Sequence, residues 1–327
     1  MNVAEPLLRG EALTRAFHRR GSFLGRGAPV MALRGVNVSV HRGEAVGVVG
    51  ESGCGKSTLG RVLLHLLTPS SGRVLFEGSD LAQQSGARLR SLRRRMQIVF
   101  QDPYGSLDPR RSVGAQIADG MLIHGLARGE AADQAVGGLL RQVGLDPDHA
   151  RRLPHEFSGG QRQRIAIARA LATEPDFIVA DEPVSALDVS IQAQVVNLLA
   201  DLRADLGLAL LFISHDLHVV RHLCDRVIVM YLGRIMEEGP AAELFRAPAH
   251  PYTRALLAAT PSIRHRGAAA APVAGEAPSI ANPPSGCGFR TRCPFAKPAC
   301  AETVPPLTAM PDAPARRLAC LRADEIA

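Results

Sequence analysis

The sequence predicts an α/β protein in which buried parallel strands alternate with helices. Three observations carry this. A glycine-rich stretch, Gly50-Glu51-Ser52-Gly53-Cys54-Gly55-Lys56-Ser57-Thr58, lies between an apolar run at residues 45–49 and a segment at 59–67 whose apolar residues recur at helical spacing. Residues 177–180 and 208–213 are continuously apolar, as in the central strands of a parallel sheet. The chain has 327 residues and a hydrophobic content of 46%, which suits about two or three domain-sized units with a sizeable core.

The glycine-rich stretch fits the pattern G-x-x-x-x-G-K-S/T without a mismatch, and strand, loop and helix are the context that pattern needs. Glycines let the backbone fold tightly enough for its N–H groups to surround phosphate oxygens. The helix that follows points its positive N-terminal end at the same anion. Lys56 would reach the β- and γ-phosphates, and the Ser57 hydroxyl would hold Mg²⁺. An ordinary glycine-rich turn is the plainer alternative, and it does not account for both flanks.

The net charge of +7 permits an anionic partner without demanding one. No apolar run reaches the ~18 residues of a membrane helix, and residues 1–10 contain no signal-peptide core, so a cytoplasmic protein is expected. Six cysteines in such a chain argue against a disulfide framework, and four of them fall after residue 286.

In chain order, residues 1–44 read as short strands and turns, with Val36-Asn37-Val38-Ser39-Val40 alternating as a half-buried strand does. Residues 19–29 read as a Gly- and Arg-rich loop, beside which Phe17 or Phe23 offers a flat ring for an adenine; each could equally be an ordinary core or surface aromatic. Residues 72–77 read as a strand. Arg88, Arg90, Arg93, Arg94 and Arg95 read as a solvated basic face, because a nucleic-acid contact would need interleaved aromatics. Residues 96–100 form another buried strand, which Pro103 ends, leaving Gln101 at the edge where a ligand crevice would lie. From 112 to 144 the spacing is helical: Val113, Ile117, Met121 and Leu122, then Val136, Leu139, Leu140 and Val143, with Gly144 and Pro147 as the stop.

Phe157-Ser158-Gly159-Gly160-Gln161 leads into a helix expected over 162–173. Free N–H groups and a serine hydroxyl make it a second phosphate cradle, which suggests two nucleotides or two chains sharing one. Asp181 ends the strand at 177–182, where a carboxylate can hold Mg²⁺ directly or through water. Glu182, beside it, can polarise a water for attack on the γ-phosphate. Ser185-Ala186-Leu187-Asp188 opens the next helix, to about residue 206. His215 lies just past the strand at 208–214, where an imidazole could meet a γ-phosphate or serve as a structural histidine.

In this order the motifs resemble those of an ATP-binding cassette (ABC) ATPase, with Phe157 where the family signature more often has Leu. Phe100-Gln-Asp-Pro, Pro154-His-Glu-Phe-Ser-Gly-Gly-Gln, Asp181-Glu-Pro-Val-Ser-Ala-Leu-Asp-Val-Ser, His250-Pro-Tyr-Thr-Arg-Ala-Leu and Asn282-Pro-Pro-Ser-Gly-Cys-Gly-Phe-Arg-Thr-Arg-Cys-Pro narrow the likeness to the ATP-binding subunits of bacterial oligopeptide and dipeptide importers. The resemblance implies a P-loop NTPase (RecA-like) core with an antiparallel β subdomain and a helical subdomain, plus a small cysteine-containing C-terminal extension. The boundaries it implies are a nucleotide-binding domain at 1–261, with the helical subdomain at about 104–155, and the extension at 262–327.

The same resemblance implies roles. Gly50, Glu51, Ser52, Gly53, Cys54, Gly55, Lys56, Ser57 and Thr58 bind the ATP phosphates, and Ser57, Gln101 and Asp181 serve Mg²⁺. Glu182 is the catalytic base, His215 holds the γ-phosphate, and Phe17 stacks on adenine. Ser158, Gly159, Gly160 and Gln161 face the ATP of a partner cassette, and Asp188 lies at the dimer seam. The implied function is ATP-driven uptake of oligopeptides or dipeptides. The implied partners are a paralogous ATP-binding subunit, two membrane permease subunits and, indirectly, a substrate-binding protein; no nucleic acid is implied. The implied location is peripheral, on the cytoplasmic face of the bacterial inner (plasma) membrane. Nickel, opines or glutathione are alternative cargoes. A non-transport cassette protein of translation or DNA repair is a further alternative, but those resemble paired cassettes or carry a coiled-coil insertion, and this chain has one phosphate loop and no heptad run. A nucleic-acid module on the cysteine tail would rest on Arg290 and Arg292 alone.

Cys287, Cys293, Cys300 and Cys320 are spaced C-x₅-C-x₆-C-x₁₉-C among prolines, in a segment too poor in core residues to hold one shape without a staple. Zinc sites usually show closer pairs, and wider spacing suits a larger centre. Three readings stand at this point: a four-iron four-sulfur cluster, which the resemblance implies for some members, zinc, or thiols without metal.

Overall fold

The computed structural model describes residues 5–18, 29–259 and 275–326. Its strands are β1 (Leu8–Phe17), β2 (Val30–Val40), β3 (Ala45–Val49), β4 (Ser71–Phe76), β5 (Ser79–Asp80), β6 (Met96–Val99), β7 (Phe177–Asp181), β8 (Ala209–Ile213), β9 (Arg226–Tyr231), β10 (Arg234–Pro240), β11 (Thr308–Met310) and β12 (Ala313–Leu318). The helices are α1 (Lys56–Leu63), α2 (Gly86–Arg94), α3 (Pro103–Ser106), α4 (Val113–His124), α5 (Glu130–Gln142), α6 (Gly159–Leu171), α7 (Val189–Leu206), α8 (Leu217–Leu223), α9 (Ala241–Arg246), α10 (Pro251–Ala259), α11 (Ala299–Glu302) and α12 (Ala323–Ile326).

The described residues fall into two compact units. One takes the described residues within 1–8, 39–45 and 75–213; the other takes those within 9–38, 46–74 and 214–327. In the first, β6, β7 and β8 run parallel, with Met96 opposite Phe177 and Phe177 opposite Ala209. Both β7 and β8 are buried along their whole length, which is why they read as unbroken apolar runs. Helix α6 packs on β6 and α7, with Ile165, Ile167, Ala168 and Leu171 buried. The insertion between β6 and β7 is helical: Ser112 caps α4, Gly125 ends it in the left-handed conformation, and α5 stops at Gln142 just before Gly144 (φ 74°).

In the second unit β3 and β9 pair in parallel, Val46 opposite Arg226 and Val49 opposite Val229. The sheet then turns antiparallel through β10 and β12 to β11, so the chain's last two strands extend the same sheet. A separate sheet sets β1 between β2 and β4, with the short β5 antiparallel to β4.

Several expectations shift. The start of the chain forms two long strands of 10 and 11 residues rather than short ones. Helix α6 begins three residues earlier than its apolar face suggested, because Ser158 is its cap. Helix α1 ends at Leu63, short of the apolar Leu66 and Leu67. Arg95 does not belong to a solvated face. It lies between Asp176 and Glu77, 2.6 and 2.8 Å from the Glu77 oxygens, while Arg42 also bonds both acids. These bonds raise the Arg95 pKa and hold Glu77 below the ordinary carboxylate range. Phe23 and residues 19–28 lie outside the described residues.

Candidate active site

The phosphate loop leaves β3 at Val49 and enters α1 at Lys56. Its glycines are required by geometry. Gly55 sits at φ 109°, where a Cβ would come 2.4 Å from the Ala32 carbonyl oxygen, and at Gly50 (φ 149°) a Cβ would come 2.2 Å from that of Met230. Lys56 is 5% exposed, and its Nζ donates to the carbonyls of Gly50 (2.8 Å) and Glu51 (3.1 Å), so the ammonium caps its own loop. Ser52 and Gly53 are exposed; Ser57 and Thr58 are half-buried in the first turn of α1. Cys54 is buried, and that burial pushes its thiol up in pKa while the Lys56 charge opposes the shift. The arrangement presents N–H groups, a helix N-terminus and a fixed cation to one anion.

In the other unit Asp181 ends β7, buried and level with Ile213 at the end of β8. Glu182 follows at φ 48°, a left-handed conformation that costs a non-glycine residue roughly 1–3 kcal/mol. Its N–H is held by the Ile213 carbonyl at 3.0 Å, and its own carbonyl accepts the Ser185 hydroxyl at 3.1 Å. The strained backbone turns the Glu182 carboxylate to Gln101, whose Nε2 donates to Oε2 at 3.2 Å. The two residues singled out for water and metal chemistry are therefore in contact.

The signature stretch caps α6. The Ser158 hydroxyl accepts the Gln161 N–H at 3.3 Å, and the Gln161 side chain returns the bond to the Ser158 N–H at 3.0 Å. Gly160 packs against Ile191, where a Cβ would meet Cγ2 at 2.3 Å. Phe157 is buried, its ring meeting the His149 ring edge-on at 5.4 Å, so Phe fills a core position there as Leu would. Gly159 is half-buried and Ser158 exposed. Asp188 is exposed and caps α7, accepting the Ile191 N–H at 2.9 Å.

Phe17 ends β1, 38% exposed as a residue, with the Arg15 guanidinium over its ring. His215 is exposed beyond Ser214, whose N–H bonds the Val48 carbonyl at 3.2 Å. Cys287, Cys293, Cys300 and Cys320 line one small cavity, so the tail does gather its four thiols. Burial raises the pKa of Cys287, Cys293 and Cys320. Yet no three His, Cys, Asp or Glu side chains among the described residues are arranged to hold a metal ion, so the expected cluster has no ready-made ligand geometry here.

Sequence reasoning gave Tyr252 and Arg292 no part in the nucleotide site. The Tyr252 hydroxyl accepts the Glu51 N–H at 2.9 Å, and Arg292 bonds both Glu51 carboxylate oxygens at 2.9 Å. Both lie some 200 residues or more from Glu51, so only their place in the fold shows the contact.

A glycine-cradled lysine at a helix start, with an Asp-Glu pair at the end of a parallel strand, is the arrangement of a P-loop NTPase. Residues 33–185 match the ABC transporter family, and residues 236–300 match the oligopeptide/dipeptide transporter C-terminal region. The chain is 48% identical over 323 residues to the di/tripeptide transport ATP-binding protein DppF of Pseudomonas aeruginosa, covering 98% of this chain and 99% of that one. It is 52% identical over 291 residues to the oligopeptide transport ATP-binding protein AppF of Bacillus subtilis, 88% of each chain. Among solved structures, the dimeric post-hydrolysis state of the ATP-binding cassette MJ0796 bound to ADP and Pi is similar, with a TM-score of 0.64 and 29% identity over 72% of this chain and 98% of that chain. The chain belongs to the ATP-binding proteins of the ABC transporter family, in the group that carries the oligopeptide/dipeptide C-terminal region. It is an ATPase of that family. Among the described residues no helix is long and apolar enough to cross a membrane.

Proposed function

We propose that the chain is the ATP-hydrolysing subunit of a bacterial importer that takes up oligopeptides or dipeptides through two separate permease subunits fed by a substrate-binding protein. The observation that carries this is the near full-length similarity to DppF and AppF, which extends through the C-terminal region and leaves the phosphate loop intact. The residues fit their roles. Gly50 to Thr58 cradle the ATP phosphates, Lys56 exchanging its bonds to the loop carbonyls for bonds to phosphate oxygens. Ser57, Asp181 and Gln101 would hold Mg²⁺, which when bound neutralises phosphate charge. Glu182 takes the proton of the attacking water, and its contact with Gln101 keeps its carboxylate aimed. His215 holds the γ-phosphate and Phe17 stacks on adenine. Ser158, Gly159, Gly160 and Gln161 read the ATP of a partner cassette, a paralogue, across a seam that includes Asp188.

In this reading residues 1–261 form the nucleotide-binding domain, 104–155 the helical subdomain that meets the permease, and 262–327 the extension. The protein sits peripherally on the cytoplasmic face of the inner membrane. Cys287, Cys293, Cys300 and Cys320 would be the ligands of a four-iron four-sulfur cluster. Their shared cavity supports this reading. Anaerobically purified protein should be brown with about four irons per chain; colourless protein with stoichiometric zinc, or four titratable thiols and no metal, contradicts the cluster.

The function is tested in the assembled transporter. Peptide-loaded binding protein should raise ATP hydrolysis, and Ser158→Arg should abolish that turnover while the isolated subunit still binds ATP. Turnover indifferent to peptide, or loss of ATP binding by the isolated variant, contradicts it.

A further inference from the structure

Glu51 poses an electrostatic problem. It places a carboxylate inside a loop whose other features all favour an anion. The fold answers it with Arg292, which lies in the tail between Cys287 and Cys293. One Arg292 nitrogen, Nη1, donates to both Glu51 carboxylate oxygens at 2.9 Å and to the Tyr231 hydroxyl at 3.3 Å. The Arg292 side chain is 7% exposed and that of Glu51 25%, so the pair is largely shielded from water. Burial disfavours the Arg292 charge, and the bonds to Glu51 and Tyr231 more than restore it.

The arginine is held from both sides. Tyr231, Tyr252 and Phe289 form an aromatic cluster with ring centroids 4.6 to 5.6 Å apart, and Tyr252 also accepts the Glu51 N–H. In the tail, the Arg292 N–H bonds the Phe289 carbonyl at 3.0 Å, and the Cys287 N–H bonds that of Cys300 at 2.8 Å. The knot that gathers the cysteines thus fixes the reach of Arg292.

We propose that Arg292 is a positioning residue of the nucleotide site: by neutralising Glu51 it allows the loop to accept a polyphosphate, and so makes ATP affinity depend on the fold of the cysteine-bearing tail. This rests on residues 50–58 being the ATP phosphate loop. Without Arg292, Glu51 stands as a bare carboxylate beside the incoming phosphates. With Glu51 also neutral, the loss disappears, which a merely structural arginine would not show.

The test is equilibrium binding of MgATP to the full-length chain. Arg292→Ala should weaken binding about tenfold, the scale of one lost charged hydrogen-bond pair, and the gap from wild type should narrow at high salt. Glu51→Gln/Arg292→Ala should bind within about twofold of Glu51→Gln alone. Wild-type affinity in Arg292→Ala, or the same loss in both backgrounds, overturns the proposal. Should Arg292→Ala not fold, Glu51→Gln/Arg292→Gln decides. This neutral pair should bind ATP as Glu51→Gln does, and weaker binding overturns the proposal. Lys56→Ala is the separate control: unchanged binding there refutes the phosphate loop itself, whereas lost binding there with wild-type Arg292→Ala refutes only the role of Arg292.

Discussion

The phosphate loop and the cysteine tail are held in opposite ways. Residues 50–58 keep their shape chiefly through their own backbone, with glycines at positive φ, a lysine bonded to carbonyls five and six residues away and a helix that starts within the motif, while Tyr252 and Arg292 bond Glu51 from outside. The tail keeps its shape through partners distant in sequence. Strand β12 borrows the edge of β10, Arg316 reaches the fully buried Glu237 at 2.6 Å, and Phe289 is buried against Tyr231 and Tyr252. A locally determined shape tolerates change elsewhere, although the charge balance of this loop at Glu51 still depends on Arg292. A site determined at a distance fails when any one anchor goes.

The largest expected effect is on the tail's main anchor. Glu237 accepts N–H bonds from Ala249 and His250 besides Arg316. Arg316→Ala should therefore lower unfolding stability by about 3–5 kcal/mol, the cost of stranding one half of a buried ion pair. Denaturant unfolding that differs by less than about 1 kcal/mol would show that the tail is held some other way.

A slightly smaller effect should appear with pH. His250 is buried, and burial pushes its pKa down to about 4 although Glu237 acts in the other direction. It stays neutral in the fold, with Nδ1 accepting the Tyr252 N–H at 3.0 Å. Above about pH 6.5 neither folded nor unfolded chain carries this proton. As pH falls from there toward 4, only the unfolded chain takes it up, so stability should drop by about 3 kcal/mol across that window. His250→Gln should flatten that part of the stability profile, and an unchanged slope would remove His250 from the account.

The smallest effect on stability is expected at the loop, and there the readout is binding. Lys56→Ala should weaken MgATP affinity about 10- to 100-fold, as loss of charged hydrogen bonds to phosphate implies, while leaving unfolding nearly unchanged. If it unfolds the protein instead, the loop is no more self-supporting than the tail.

What the sequence made legible follows the same division. The loop, the buried strands β7 and β8, and the Asp181–Glu182 pair were readable because each is a contiguous pattern with one physical meaning. The apolar face places the start of α6 at Arg162 because Gly159, Gly160 and Gln161 carry no apolar side chain, whereas the capping box of Ser158 and Gln161 starts the helix at Gly159. Arg95 read as surface because its acidic partners, Glu77 and Asp176, lie 18 and 81 residues away. The role of Arg292 is likewise hidden in the sequence, since its partner Glu51 lies 241 residues away. The cysteines were noticed as a group, but spacing alone could not show that they share a cavity against His250 and Phe289.

One variant tests directly whether Glu182 is the base of ATP hydrolysis. Glu182→Gln keeps the shape and the neighbour Gln101 but removes the proton acceptor. In the transporter assembled with its permeases and partner cassette, ATP should still bind, and phosphate release should fall by at least ~10²-fold. Near-normal phosphate release from that assembly would contradict the account.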